Sequence, residues 1–381
     1  MNRLPILFAL AILALPASLF AQASPSLFTS GTRYDAVGHV TGTISADPDT
    51  VGSGNPFIAV RNTYDAAGRL TKVETGTLSA WQSDSVAPTS WTGFTVFRTL
   101  ETAYDGRSRE IQDTVREGAA GTIRTVTQYS YDVLGRLECT AVRMNPAVFG
   151  SLPASACTLS TPGSDGADRI TRNIYDAAGQ RLQLREGVGT SDEGTEATWA
   201  YSPNGKVTTV IDGNGNRAEL RYDGLGRQDR WFFPSTTRPA AFDDSSPASA
   251  LASAGGVNAD DWEGYGYDAN GNRLQLRRRD GRVLVFDYDA LDRVTMKRAW
   301  QLGVGVTSET DYAYDLRGLQ LSATFGAGGP GIFNAYDGFG RLASSTTTMG
   351  GVGRTLTHQY DANGNRTRIT HPDGQVFTYG Y

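Results

Sequence analysis

Apolar and polar residues alternate along this chain in short runs, and glycine-bearing turns separate the runs. In the clearest stretch, Leu274 and Leu276 alternate with Arg273, Gln275 and Arg277. Further on, Leu284, Phe286 and Tyr288 share one parity while Val283, Val285 and Asp287 take the other. A period of two marks a β-strand with two different faces. Asp268-Ala269-Asn270-Gly271 precedes the first run and predicts a type I turn. There the Asp carboxylate accepts from the backbone two residues on, and Gly takes the position where φ is often positive. Asp280-Gly281 between the runs predicts a second, tighter turn of the hairpin kind. The unit is thus two antiparallel strands of about six residues joined by two turns. The same dissection fits Asp361 to Arg366, the His371-Pro372-Asp373-Gly374 turn, and Val376 to Tyr379.

The unit recurs. Eleven of the 17 tyrosines are followed by aspartate, at Tyr34, Tyr64, Tyr104, Tyr131, Tyr175, Tyr222, Tyr267, Tyr288, Tyr314, Tyr336 and Tyr360. That is far more than 29 aspartates scattered over 381 residues would place there. The turns that open at Asp65, Asp132, Asp176, Asp223, Asp268, Asp337 and Asp361 are expected to close at Gly68, Gly135, Gly179, Gly226, Gly271, Gly340 and Gly364. Three copies depart from the pattern. Ser108 and Asp292 stand where Gly belongs, and Ser202 replaces Asp; Asp tolerates the left-handed region better than most residues. A lone hairpin is marginal in water, so each must pair with the next. Repetition at this period means an array built by stacking. The expected fold is all-β: tandem antiparallel hairpins in one sheet that curls.

Three gaps between Tyr-Asp doublets are about two units long: 64 to 104, 131 to 175, and 222 to 267. Each is either a degenerate repeat or an inserted loop. Pro146, Pro153, Pro162 and Gly163 in the second gap predict an insertion over about 143–170. Pro234, Pro239, Asp243-Asp244, Pro247 and Gly255-Gly256 in the third predict another over about 234–262. Both are read as lying on the surface of the array. Trp81, Trp91, Phe94 and Phe97 read more like strand, so a decayed repeat is expected in the first gap. Long loops are where function concentrates. If the protein binds a ligand, Trp231-Phe232-Phe233 offers a candidate aromatic platform for sugar, although such a run is more often a strand end packed on a core.

At the amino terminus, Arg3, the apolar run Leu4 to Leu15 and Ala21-Gln22-Ala23 read as a secretory signal over residues 1–23. The alternative is a membrane anchor, but the run falls short of the ~20 residues a span needs. The expected location is periplasmic, cell-surface or extracellular, and not integral to a membrane. Export bears on Cys139 and Cys157, the only cysteines. In an oxidising compartment they are expected to form a disulfide, and in a reducing one they remain two thiols.

A formal charge of −5 argues against a nucleic-acid partner. Of the 35 basic residues only Lys72, Lys206 and Lys297 are lysines. The arginines could stack on tyrosine faces or bind acidic glycans, or could reflect nucleotide composition alone. No catalytic motif emerges. His39, His358 and His371 lack metal-site spacing, and no cofactor or metal is expected. Asp268-Ala269-Asn270-Gly271-Asn272 opens like a calcium loop but has Arg273 and Arg279 where Gly and Glu belong. A glycan hydrolase would need a carboxylate pair that nothing in the sequence singles out. An enzyme is not expected.

The Tyr-Asp-x-x-Gly-Arg/Asn unit resembles the YD repeat of the RHS family, also found in teneurins and insecticidal toxin complexes. The copies at Tyr64 to Leu70, Tyr131 to Leu137 and Tyr336 to Leu342 carry the resemblance, which extends over about residues 33–381. It implies a β-ribbon spiralling into a hollow shell that encloses a toxic or effector segment, so the partner is a cargo polypeptide. The rival reading is a cell-surface adhesin whose partner is a glycan. The family's closing core domain has an R-Y-Y-D-P-x-x-G-R-F-type motif, which this sequence lacks. The chain stops at Tyr379-Gly380-Tyr381, where the next turn is due, as expected of a fragment or degenerate copy of a longer array.

Overall fold

The computed structural model describes residues 29–46, 56–301 and 303–380, so the signal segment 1–23 lies outside the described residues. The described chain is all-β, with one short α-helix, Pro247–Ser253. It divides into two compact units, Met1–Arg172 with Glu186–Glu193, and Asn173–Arg185 with Gly194–Tyr381.

The first unit runs through the strands Gly31–Tyr34, Val40–Ile44, Phe57–Tyr64, Leu70–Leu78, Phe94–Tyr104, Glu110–Glu117, Ile123–Tyr131 and Leu137–Arg143. Each pairs antiparallel with the next, and Leu137–Arg143 pairs with residues 169–172. The second unit repeats this meander from Gly194–Tyr201 to Val376–Thr378.

The doublets sit at bends. Tyr64 ends its strand opposite Leu70, after a register shift between Thr63 and Tyr64, and the five residues between them make the turn. The Gly68 N–H donates to the Asp65 carbonyl (3.0 Å) and the Asp65 N–H to the Arg69 carbonyl (2.9 Å). This is a type I turn closed by one residue of positive φ. The closing bond recurs from Gly135 to Asp132 (2.9 Å), Gly226 to Asp223 (2.9 Å), Gly340 to Asp337 (3.0 Å) and Gly364 to Asp361 (3.2 Å). All seven glycines expected to close turns take positive φ: Gly68 78°, Gly135 85°, Gly179 87°, Gly226 76°, Gly271 94°, Gly340 82° and Gly364 89°. Ser108 and Asp292 hold the same place at 61° and 58°.

The turn at Asp280-Gly281 differs from the tight hairpin expected. Arg277 pairs with Val283, and Gly281 donates to the Arg278 carbonyl, so Arg278 opens the same five-residue turn. A two-residue loop of the primed type I needs two positive φ angles, and here Gly281 alone supplies one.

All three long gaps are single hairpins whose far turn has grown into a loop: residues 79–93, 144–168 and 235–256. This corrects the decayed repeat expected in the first gap. Phe94 and Phe97 are in a strand, but Trp81 and Trp91 are in the loop. Pro88 starts a single 3-10 turn there and Gly93 takes φ 69°, which breaks the strand.

The loops also do more than decorate a surface. Ile44, Ala59, Leu78 and Trp91 form one buried cluster, so the first loop supplies part of its own core. Cys139, Ala141, Ala156, Ile170 and Val188 form another, with Ala156 from the second loop. A two-sided sheet cannot bury a face alone, and these loops fold back to cover it. Thr63, Lys72, Glu101, Thr114, Val126 and Arg143 are successive cross-strand partners and so share one face. On that face Arg61 donates to Pro88 of the first loop and Arg143 to Thr158 of the second, so both loops cover the same side of the first unit.

Candidate functional site

The repeat builds a spine of side chains along its turns. Asp65 Oδ1 accepts from the backbone N–H groups of Ala67 (2.9 Å) and Arg69 (3.0 Å), and Oδ2 pairs with the Arg69 guanidinium at 2.6 Å. The same pair closes the turns at Asp105, Asp132, Asp223, Asp289 and Asp337. Asn272 and Asn365 replace Arg and donate to Asp268 (3.0 Å) and Asp361 (2.9 Å). In the turn at Tyr175, Gly179 donates to the Asp176 carbonyl and the Gln180 N–H to Asp176 Oδ1. These donors set the acidity. The Arg69 side chain, then its backbone N–H, holds Asp65 below the ordinary carboxyl value, and the Arg293 side chain leads for Asp289. For Asp223 the Arg227 backbone N–H leads.

Tyrosines at these turns then reach back one repeat. Tyr64 donates its hydroxyl to the Val40 carbonyl (3.0 Å), Tyr104 to Leu70 (2.9 Å), and Tyr131 to Glu110 (2.8 Å). In the second unit Tyr222 donates to Val207 (2.7 Å), Tyr267 to Gln228 (2.9 Å), Tyr336 to Gln320 (3.1 Å) and Tyr360 to Leu342 (3.0 Å). The acceptor is always the residue six beyond the preceding repeat's tyrosine, where the return strand starts.

The arginines reach forward. Arg69 lies over the Tyr104 ring at 4.9 Å and donates to the Asp105 carbonyl; Arg227 does the same to Tyr267 and Asp268, and Arg341 to Tyr360 and Asp361. One guanidinium thus closes its own turn, stacks on the next ring and holds the next turn. Stacking on tyrosine is therefore real and internal to the array. Sequence reasoning missed the clasp of tyrosine hydroxyl to carbonyl. Its only trace in the sequence is the recurring Tyr-Asp doublet, because the hydroxyl reaches a backbone carbonyl that any residue supplies.

Buried polar groups dock the loops. Arg143 and Asp168, both almost wholly buried, pair at 2.7 Å. Arg143 also donates to Thr158 and Ser155, and Asp168 accepts from the backbone N–H groups of Ser160 and Met144. The carboxyl of Asp168 sits below its ordinary value: burial opposes the charge, and those N–H donors and Arg143 outweigh burial. Cys139 and Cys157 form a disulfide beside this pair, with Cα atoms 5.3 Å apart. In the second unit, the Asp244 carboxylate accepts from Thr195 N–H (2.6 Å) and its carbonyl accepts from Gln183 (3.1 Å).

The aromatic platform is not one surface, because strand alternation splits it. Trp231 and Phe233 stack at 4.8 Å on one face, with Trp231 half-exposed and Arg279 over Phe233 at 3.9 Å. Phe232 is buried on the other face beside Trp262. Arg279 is held by Asp261 through two hydrogen bonds of 2.8 and 2.5 Å. Next to Trp231 in register is Glu263, which accepts from Tyr265. Burial, then that hydrogen bond, pushes the Tyr265 hydroxyl up to about 12.

Among the described residues there is no cluster of three metal-ligating side chains, and no helix is long and apolar enough to cross a membrane.

Residues 336–376 match the family model described as RHS Repeat. No curated protein matches the chain. Solved structures similar to it include TcdB2-TccC3-TEV, at 16% identity over 93% of this chain and 21% of that one, with a TM-score of 0.45. The Photorhabdus luminescens Tc holotoxin pore is similar at 17% identity over 91% of this chain and 19% of that one, with a TM-score of 0.42. The chain thus spans about a fifth of the length of the solved chains it matches. The matched segment contains the turns that run from Tyr336 to Gly340 and from Tyr360 to Gly364, so residues 336–376 carry the RHS repeat, and the same turn and tyrosine clasp recur in both units.

Proposed function

We propose that the chain is a wall segment of an exported RHS-type β-shell that encloses or presents another polypeptide, and that its role is structural rather than catalytic. The observation that carries this reading is the spine. The turns hold the hairpin before them through tyrosine and, at Arg69, Arg227, Arg293 and Arg341, the one after them through arginine, using mostly backbone acceptors. Strand side chains are then free to vary while the wall keeps its register. Residues 1–23 supply the export step in this proposal. Mature protein recovered outside the cytoplasm should begin at Ser24 by amino-terminal sequencing.

The test is to express the chain together with the coding sequence contiguous with it and treat the purified product with proteinase K. A second polypeptide that co-purifies and survives digestion only while the array is intact supports the shell. Digestion of everything but the array overturns it. One observation favours a carbohydrate-binding adhesin as the second reading: the half-exposed Trp231 stands beside Arg279, Asp261 and Glu263. Glycan-array binding that disappears in Trp231→Ala supports that alternative.

A further inference from the structure

On the face opposite Trp231 lies an arrangement that the spine does not use. Arg221 and Arg230 are directly opposite each other on paired strands, and Arg230 is opposite Gly264, which is opposite Arg277. Like charges directly across a ladder repel. Arg230 and Arg277 both lie over the Trp262 ring, at 5.0 and 3.9 Å, and Arg221 lies over Phe232 at 4.5 Å. Gly264 makes room for this stack, since a Cβ there would meet the Trp262 ring at 2.4 Å. Among the described residues, none of the three arginines forms an ion pair within 4.0 Å. Arg277 spends one nitrogen, Nη1, on the Trp262 and Arg278 carbonyls. Arg217, on the same strand as Arg221, donates to the Leu251 carbonyl of the helix Pro247–Ser253. Beside Arg230 and Arg277 is a cavity of about 260 Å³, also lined by Gln275 and Gly266.

We propose that these three arginines bind an extended acidic segment of a polypeptide. The rings offer no free platform to a sugar, because guanidinium groups already cover them. What remains open is the forked N–H edges, which fit carboxylates two bonds at a time. The row crosses four adjacent strands, a span of about 14 Å at sheet spacing. Carboxylates at alternate positions of an extended chain cover about the same length over four residues. This inference is independent of whether the array encloses a cargo.

The test uses the purified full chain and a fluorescein-labelled heptapeptide of alternating Glu and Ser, followed by anisotropy at low salt. Its Gln-for-Glu counterpart is the control. The Glu peptide should bind and the Gln peptide should not, and the doubly substituted R230Q/R277Q chain should bind at least about tenfold more weakly. If that variant loses its β-sheet circular dichroism, Gln275→Glu decides. Gln275 is exposed, and a carboxylate there should occupy the neighbouring guanidiniums and weaken peptide binding. Equal binding of the two peptides, or undiminished binding by Gln275→Glu, overturns the proposal. So does a heparin oligosaccharide that binds the same arginines more tightly than the Glu peptide, which would make the partner a sulfated glycan.

Discussion

The first unit and the hairpins after Val294 share one turn design but differ in what covers the sheet. In the first unit, loops 79–93 and 144–168 fold onto the strands and leave Leu78, Ile44, Ile170 and Cys139 with 0–1% exposure. Among the described residues of 294–380, only Thr324 and Gly331 are buried, while Phe325 is 65% and Ile332 43% exposed. Yet Tyr314, Tyr336 and Tyr360 make the same clasp as Tyr64 and Tyr104. Register in this repeat therefore does not depend on a buried core. The spine runs on where burial is slight, and the loops add burial where they occur. Stability should be uneven along the chain, as expected when repeats contribute individually.

The largest way to test that contrast is at Asp168. Changing it to Ala leaves the Arg143 guanidinium buried with only neutral partners, and breaking a buried pair from one side costs about 3–5 kcal/mol. Asp168→Ala should bring forward the unfolding of the first unit while hydrogen exchange of residues 294–380 stays as it was. Equal acceleration in both regions would mean that they unfold as one and that the contrast is false.

Reduction of the Cys139–Cys157 disulfide is the next step down, about 3 kcal/mol for its 18-residue separation in the loop-entropy account. Cys139 lies in the buried cluster, so the effect should extend beyond the loop to the strands Leu137–Arg143 and 169–172. It should leave the second unit untouched. Proteolysis in dithiothreitol, read by the order in which fragments appear, checks this: cleavage should come first between 144 and 168.

How much of this is legible in the sequence depends on the distance over which each feature acts. The turns are local. Tyr, Asp and Gly at fixed offsets specify them: Gly135, Gly226, Gly340 and Gly364 close theirs as their offsets require, and Ser108 and Asp292 take the left-handed place expected of their positions. The turn at Gly281 misleads because Asp-Gly suits two geometries, and strand register chooses between them. The split of Trp231, Phe232 and Phe233 is available from alternation alone, since neighbours in a strand point to opposite faces. The loops are harder. Trp81 and Trp91 look like strand residues because burial attracts aromatics in either setting, and only the fold shows that Trp91 covers Ile44 and Ala59. The Arg143–Asp168 pair, 25 residues apart in sequence, has no local signal at all.

The smallest prediction tests the spine itself. Tyr360→Phe keeps the ring under Arg341 and removes only the hydroxyl that donates to Leu342, a net loss of about 1 kcal/mol. Tyr104→Phe removes the equivalent bond to Leu70 under a loop-covered sheet. The intrinsic loss is the same, but its consequence is not. Beyond residue 342 the strands have little burial to hold them, so a lost clasp should appear as faster amide exchange in 342–370. Around Tyr104, Thr99 and Leu78 remain buried whether or not the hydroxyl is present, and exchange there should change little. If the two substitutions speed exchange equally, the clasp is the main source of cohesion everywhere and the loops are secondary. If neither has an effect, register comes from the backbone ladder and turns alone, and the tyrosine hydroxyl is incidental to it.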